Sequence, residues 1–377
     1  MFGVRQEIAG LKPYAPGLSI AEIQKKYGLA RVIKMASNEN PLGVPPLAQE
    51  AIVRHAAEAF RYPQGGNPRL VQALAKRHGV EPSAIVVGNG SDEVIDILIR
   101  IVLEPGKHNM VCYTPCFSIY PIQGQICGVE VRRQRLNDDF SFDFAALLRH
   151  VDQNTRLVFI TTPDNPSGYC PPRGSILELA HCLKMQAPQC LLVIDEAYMD
   201  FTENENASSV LFVTSAPRNT VCLRTFSKSF GLAGLRLGYA ILPPEVADGF
   251  WRSRLPFSVN ILAEEAALAA LQDTEFFVAS QKTVRTGRQF LAAGLTALGC
   301  QVWPSEANFL MFRLPQRAPT AAQCFERLLQ DGIIIRQLTA YGLPENLRVS
   351  VGNAEENRLF LAAMNRICTD SASGYTL

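Results

Sequence analysis

Thr225-Phe226-Ser227-Lys228-Ser229-Phe230-Gly231-Leu232 places one amine in a Ser/Thr-rich, apolar loop directly after the strand-like run Val221-Cys222-Leu223. Most lysines are solvated surface groups. Here Phe226, Phe230 and Leu232 would shield the amine from water. Desolvation lowers a lysine pKa and favours the neutral nucleophile. Further on, Gly234-Leu235-Arg236-Leu237-Gly238-Tyr239 brings a cation. With the hydroxyls of Thr225 and Ser227 it would suit a phosphate. Taken alone, the cluster also fits a structural turn or a Ser227–Lys228 hydrolase dyad.

Outward from this loop, residues 83–243 alternate between short apolar runs and helical patterns. The runs are Ile85-Val86-Val87, Asn109-Met110-Val111, Leu157-Val158-Phe159-Ile160, Leu191-Leu192-Val193-Ile194 and Val221-Cys222-Leu223. Between two of them, Val94, Ile97, Leu98 and Ile101 recur at helical spacing. Strand–helix alternation with continuously apolar strands implies an α/β fold with a mainly parallel sheet covered on both faces. Ligands in such sheets bind beyond the carboxyl ends of the strands. Residues 261–299 are helix-rich, and the chain then reads as short strands with two helices, a smaller α+β unit. The expected division is an N-terminal arm at 1–46, a large domain at 47–280 and a small domain at 281–377. The arm is too rich in Pro and Gly to form a domain and is expected to pack on the small domain or a partner subunit.

Three more turns follow apolar strands. Gly88-Asn89-Gly90-Ser91-Asp92-Glu93 leads into a helix at Ser91, whose free N–H groups and dipole favour an anion. An ordinary serine N-cap with two favourable acids explains it equally well. Leu192-Val193-Ile194-Asp195-Glu196-Ala197-Tyr198 ends a buried strand on an acid. Such an acid is costly unless paired. Asp195 would suit a cationic ring N–H, with Tyr198 reaching an oxygen of the same ring, or it is a helix cap. Thr161-Thr162-Pro163-Asp164-Asn165-Pro166-Ser167-Gly168 offers Asn165 as a donor to a phenolate-type oxygen, or is a plain Pro-Gly turn.

The totals exclude other classes. With 36 basic and 35 acidic residues the formal charge is +1, which gives no electrostatic case for nucleic acid or an anionic membrane. No apolar run is long enough to span a bilayer, and Met1 to Lys12 does not read as a signal peptide. The ten cysteines form no CxxC pair and have no histidine cluster beside them. Free thiols in a cytoplasmic protein, without a metal site, are expected.

Four turns at the ends of four strands each present a polar group suited to a different part of pyridoxal 5′-phosphate (PLP). Together they are much less expected by chance than any one alone. The sequence resembles fold-type I PLP-dependent aminotransferases, class II subgroup, and is similar in particular to the histidinol-phosphate aminotransferase family. The matching segments are 36–43, Arg61-Tyr62-Pro63, 88–93, Asn165-Pro166, 195–198, 224–239, Ala307-Asn308-Phe309 and 341–348. They span residues 36 to 352, nearly the whole chain.

The resemblance implies a large domain with a mainly parallel seven-stranded sheet between helices, plus a smaller α+β domain. It implies that Lys228 carries the cofactor covalently. Backbone groups of Ser91 and Asp92, with Thr225, Ser227 and Arg236, would hold the phosphate. Asp195 would pair with the pyridine nitrogen, and Asn165 and Tyr198 would bind the phenolic oxygen. Lys228, Asp195 and Tyr198 are the catalytic set. Phe117 stands where the family often has a stacking tyrosine. Tyr62 would reach the cofactor of the other subunit, making the protein a homodimer. Tyr14, Arg336 and Arg348 fall where the family binds the substrate's anionic end.

The implied reaction moves the amino group of L-histidinol phosphate to 2-oxoglutarate in histidine biosynthesis. Phe117 and Phe257 lack hydroxyls that relatives carry, which leaves an aromatic amino acid aminotransferase as the alternative substrate reading. A PLP decarboxylase of the same fold, a Ser–Lys hydrolase and a binding protein without turnover are further alternatives. The hydrolase lacks an acid or oxyanion motif of its own. The complete lysine, acid and arginine set argues against binding alone.

Overall fold

Seven strands form the larger sheet: Ile85–Gly88 (β1), Asn109–Thr114 (β2), Glu130–Arg135 (β3), Thr155–Thr161 (β4), Leu191–Asp195 (β5), Thr220–Thr225 (β6) and Gly238–Ile241 (β7). They lie in the order β1-β7-β6-β5-β4-β2-β3. All neighbours are parallel except β7, which runs antiparallel to both β1 and β6. The computed structural model describes residues 3–11, 17–212 and 218–370.

The sheet is apolar on both faces, and the strands read accordingly. Leu157 and Phe159 of β4 pack with Val193, Val94, Ile97 and Leu98 on one side. Val158 and Ile160 pack with Leu192, Ile176, Leu179 and Leu183 on the other. Successive residues of a strand point to opposite faces, so helices Ser91–Val102 and Arg173–Gln186 each cover one set. Each such side chain contributes roughly 1.5–3 kcal/mol of burial. Strand β3, Glu-Val-Arg-Arg-Gln-Arg, escapes an apolar-run search. Among the described residues it pairs only with β2, and a charged edge strand discourages pairing with other chains.

Parallel pairing puts the ends of β4, β5 and β6 on one edge. Because β7 reverses direction twice over, β1 ends there too. The four polar turns foreseen from the sequence therefore converge.

The second unit is a four-stranded antiparallel sheet in the order Arg336–Gln337, Asn346–Ser350, Phe309–Arg313, Gln301–Val302. Helices Ala321–Gln330 and Ala354–Asp370 close it over a core that includes Leu310, Phe312, Leu328, Val349 and Phe360. Thr320 and Gln323 cap the first of these reciprocally, which satisfies two helix-start donors. The N-terminal stretch packs here only in part: Ile33–Lys34 pairs in parallel with Ile333–Ile334, and Arg31 bonds Glu355 at 2.7 Å, whereas helix Gln6–Ala9 lies on helix Ile119–Ile126 of the larger unit, where Arg5 donates to the Ile126 carbonyl. The 24-residue helix Thr274–Ala297 runs across the expected 280/281 division and packs on both units, through Val284 against Phe201 and Leu291 against Phe312. Among the described residues, no helix is long and apolar enough to cross a membrane.

Candidate active site

Lys228 follows β6 in a turn held from below by Phe226 and Phe230, both buried. Its amine donates to the Ser37 carbonyl at 3.3 Å and lies 5.6 Å from the centre of the Tyr198 ring. Burial, then the field of the Arg348 guanidinium, lowers its pKa from 10.5 to about 8. The loop is braced by charge: Arg224 pairs with Glu196 at 2.6 Å and Asp200 at 2.8 Å, and Asp200 accepts from Ser229, the residue after the lysine.

Beside the amine, helix Ser91–Val102 starts at Gly90. Gly90 adopts φ +81°, and a Cβ there would stand 2.6 Å from the Arg236 guanidinium. Glycine is what lets that cation lie against the helix start. Gly238 of β7 is equally confined, since a Cβ would reach 2.2 Å from the Ser91 nitrogen. Arg236 reaches the Ser227 hydroxyl at 3.5 Å and Asp92 at 3.2 Å. Thr225 accepts from the Ser227 N–H at 3.1 Å. A helix start, a guanidinium and two hydroxyls around one point form an anion site.

At the end of β5, Asp195 is 3% exposed. It accepts from the Ala197 N–H at 3.0 Å, as a capping acid would, and also from the Tyr120 hydroxyl at 2.7 Å. Burial outweighs both bonds and pushes its pKa from 3.8 up to about 6. An acid in that state is matched by an arriving cation. Across the cavity, the Tyr198 hydroxyl accepts from Asn38 at 3.1 Å and Asn165 at 3.5 Å. Arg348 donates to the Asn165 side-chain oxygen and, at 3.0 Å, to the Ala36 carbonyl.

One cavity of about 240 Å³ gathers Lys228, Asp195, Tyr198 and Asn165 with Ser91, Asp92, Thr225, Ser227, Arg236 and Phe117. Arg348 touches its wall through Asn165. Arg336 is half-buried and is the direct cross-strand partner of Arg348. Tyr62 lies apart, 80% exposed, stacked on Phe257 at 4.8 Å. Tyr14 lies outside the described residues.

Sequence reasoning passed over Tyr120, Asn38, Ser37, Glu39 and Thr161. Tyr120 stacks on Phe159 and meets Phe117 edge-on. Its signal was its place one helical turn after Phe117. Ser37, Glu39 and Thr161 line the cavity. Asn38 had no chemical signal of its own, because only the fold brings residue 38 to residue 198.

PLP fits this donor set. The half-buried amine, its pKa lowered to about 8, suits an aldehyde, and the Gly90–Arg236 cradle suits a phosphate. The buried acid with a raised pKa suits a protonated ring nitrogen, and the two donors opposite suit a ring oxygen. Among the described residues, no group of three or more His, Cys, Asp or Glu side chains is placed to hold a metal ion.

A family profile described as aminotransferase class I and II matches residues 30–364. The chain is 57% identical over 364 residues to a histidinol-phosphate aminotransferase of Nitratidesulfovibrio vulgaris, covering 97% of this chain and 96% of the relative. It is 41% identical to histidinol-phosphate aminotransferase 2 of Methylococcus capsulatus, covering 96% of each. The crystal structure of histidinol-phosphate aminotransferase from Sinorhizobium meliloti in complex with PLP superposes with a TM-score of 0.87 at 27% identity, covering 97% of this chain and 98% of that one.

Proposed function

The chain belongs to the class I and II aminotransferases, and from that premise we infer that it transfers the amino group of L-histidinol phosphate to 2-oxoglutarate, giving imidazole acetol phosphate and L-glutamate. The carrying observation is the 57% identity over nearly the full length to a histidinol-phosphate aminotransferase. The geometry agrees with it. Arg336 and Arg348 stand directly opposite each other on adjacent antiparallel strands, so both side chains leave the same face. Two like charges so placed repel, and a phosphate dianion would compensate them better than a single carboxylate.

Bound in the cavity, PLP supplies an aldehyde that takes up amines and a conjugated ring that holds an electron pair. Lys228 would carry it covalently. Once released, the same amine is the base placed to take the proton from the substrate's amino-bearing carbon. Arg236, Ser227, Thr225 and the start of helix Ser91–Val102 would anchor the phosphate. Asp195, held by Tyr120, would keep the ring nitrogen protonated, while Asn165 and Tyr198 bind the ring oxygen and Phe117 flanks the ring. The two half-reactions share this cavity and run as a ping-pong cycle. Arg348 would bind the anionic end of both donors, and Arg336, with Tyr14, that of histidinol phosphate.

The protein acts as a homodimer in this reading. Val53, Phe60, Tyr62 and Leu255 are each at least 69% exposed, and apolar side chains left in water support that reading where a partner would cover them. Tyr62 would complete the cofactor site of the partner. Ten free cysteines suit a reducing compartment such as the cytoplasm.

The deciding experiment is kcat/KM for histidinol phosphate against phenylalanine and tyrosine, with 2-oxoglutarate as acceptor. Histidinol phosphate should be the best donor by a wide margin. A preference for phenylalanine or tyrosine would make the protein an aromatic aminotransferase, for which Phe117 in the cavity wall would be the reason.

A further inference from the structure

Asn38 stands at φ +57° and is 2% exposed. A non-glycine residue in the left-handed region is uncommon and persists only where its surroundings hold it. Here they do. Ser350 uses its hydroxyl oxygen to accept the Asn38 N–H at 2.9 Å and sends its proton to Asn38 Oδ1 at 2.9 Å. Asn308 donates to the Asn38 carbonyl at 2.9 Å. With Oδ1 engaged by Ser350, the amide nitrogen faces Tyr198 at 3.1 Å.

The other neighbour of Tyr198 is pinned in the same way. Arg348 faces Asn165 Oδ1, and a guanidinium has only donors. Asn165 must therefore turn its own donor to Tyr198, at 3.5 Å. The phenol oxygen thus accepts two amide donors. A phenolic hydroxyl has one proton and room for about two acceptor contacts, so its proton is left to point into the cavity that Tyr198 lines. Burial holds the Tyr198 phenol well above its usual pKa, so that proton stays in place.

We propose that Asn38 is a positioning residue that fixes Tyr198 as a hydrogen-bond donor into the cavity, toward the phenolic oxygen of the bound cofactor. The proposal rests on the assignment of Tyr198 to that oxygen. Asn38 belongs to none of the four strands whose ends carry the chemistry. It acts through Tyr198, and Ser350 ties it to the second sheet.

The test is a double-mutant cycle on the full-length protein, read by the dissociation constant of PLP and the visible absorbance of the loaded protein. Asn38→Asp keeps the size, the tolerance for the left-handed region and an oxygen for Ser350. It replaces the donor by an acceptor, which draws the Tyr198 proton away from the cavity. Asn38→Gly serves as the second variant, since glycine relieves the backbone and deletes the side chain. Thermal melting of the cofactor-free variants checks folding. Each Asn38 variant should weaken PLP binding by ~2- to 13-fold, the worth of one hydrogen bond, and shift the absorbance maximum. In a Tyr198→Phe background the same changes should move affinity by less than ~2-fold and leave the spectrum alone, since coupled residues lose their effect when the partner is gone. Equal shifts in both backgrounds, or no shift in either, overturn the role of Asn38 while leaving Tyr198 where it is. If Tyr198→Phe alone changes neither affinity nor spectrum, the assignment of Tyr198 falls, and the role of Asn38 falls with it.

Discussion

Arg348 donates to the side-chain oxygen of Asn165, 183 positions earlier in the chain. The bond joins the four-stranded sheet to the turn after β4, so the substrate-side arginine and a cofactor-side amide are set by one contact. A second donor of the same guanidinium holds the Ala36 carbonyl at 3.0 Å, and the group lies 4.9 Å from the Phe309 ring. Its Nε–H is buried without a hydrogen-bond partner among the described residues. A buried donor left unpaired is costly. The side chain is thus fixed in place and still has bonding capacity to offer an anion.

The first prediction concerns the amine. Lys228→Ala should retain PLP without a covalent bond and lose at least ~10²-fold in turnover, the lower end for removal of a general base. Its pKa of about 8 gives a second check on the cofactor-free protein. Below pH 8 the amine is protonated and inert; above it the amine is neutral. Labelling of Lys228 by an amine-reactive reagent should be half-maximal near pH 8, while ordinary lysines wait until ~10.4. Near-native turnover of the alanine variant, or labelling that tracks the surface lysines, would remove Lys228 from its role.

The fold and most of this site were legible because the same physics writes both. Strands buried on two faces must be apolar throughout, so β4, β5 and β6 stood out, and the polar groups that end them stood out by contrast. What was hidden lies at long range. The pairing of Ile33–Lys34 with Ile333–Ile334, the Asn38–Tyr198 bond and the facing of Arg336 with Arg348 depend on chain reversals that leave no local pattern. Edge strand β3 was hidden for a different reason: its charges serve solvent and solubility, and they erase the alternation that marks a strand.

Asp195 yields a prediction with a definite sign. Its folded-state pKa is raised from 3.8 to about 6 by burial. The folded protein therefore binds more protons than the unfolded chain between those values. The stability this contributes is complete below pH 4 and is lost as pH rises through 6. Cofactor-free protein should accordingly lose stability relative to Asp195→Asn between pH 4 and 6, measured by urea unfolding at each pH. Parallel curves for the two proteins would contradict it. In the loaded enzyme the same substitution removes the partner of the ring nitrogen, and kcat should fall by ~10²–10³-fold, as for loss of one preorganised electrostatic group.

The dimer has its own test. Tyr62 is 80% exposed and stacked on Phe257, away from the cavity of its own chain. If it completes the partner's site, Lys228→Ala and Tyr62→Ala subunits fail for different reasons. Mixed and allowed to exchange, they should regain part of the activity, because some hybrid dimers hold one site with both residues intact. An isologous dimer places two such sites about its two-fold axis. Light scattering that shows a fully active monomer would refute composite sites.

The last prediction separates the two arginines. Arg336 and Arg348 are cross-strand partners, yet their settings differ. Arg348 is 5% exposed and bonded to Asn165 and Ala36. Arg336 is half-buried, and its guanidinium is near Gly17, whose Cβ would lie 3.8 Å from it. Glutamate presents a carboxylate next to its reacting carbon. Histidinol phosphate presents a phosphate ester there, bulkier and more charged. Arg348 should serve both. Arg348→Lys should lower kcat/KM for both donors, because an ammonium cannot reproduce the planar fork and releases Asn165 as well. Each lost charge-assisted contact should cost roughly 1.5–3 kcal/mol. Arg336→Ala should cost histidinol phosphate a similar amount and glutamate much less, because a second cation matters most for a second negative charge. The measurement is kcat/KM for each donor in each variant. Equal, small losses for both donors in the Arg348 variant would take that residue out of the site. Equal losses for both donors in the Arg336 variant would mean that it supports the sheet, and that the phosphate is recognised elsewhere.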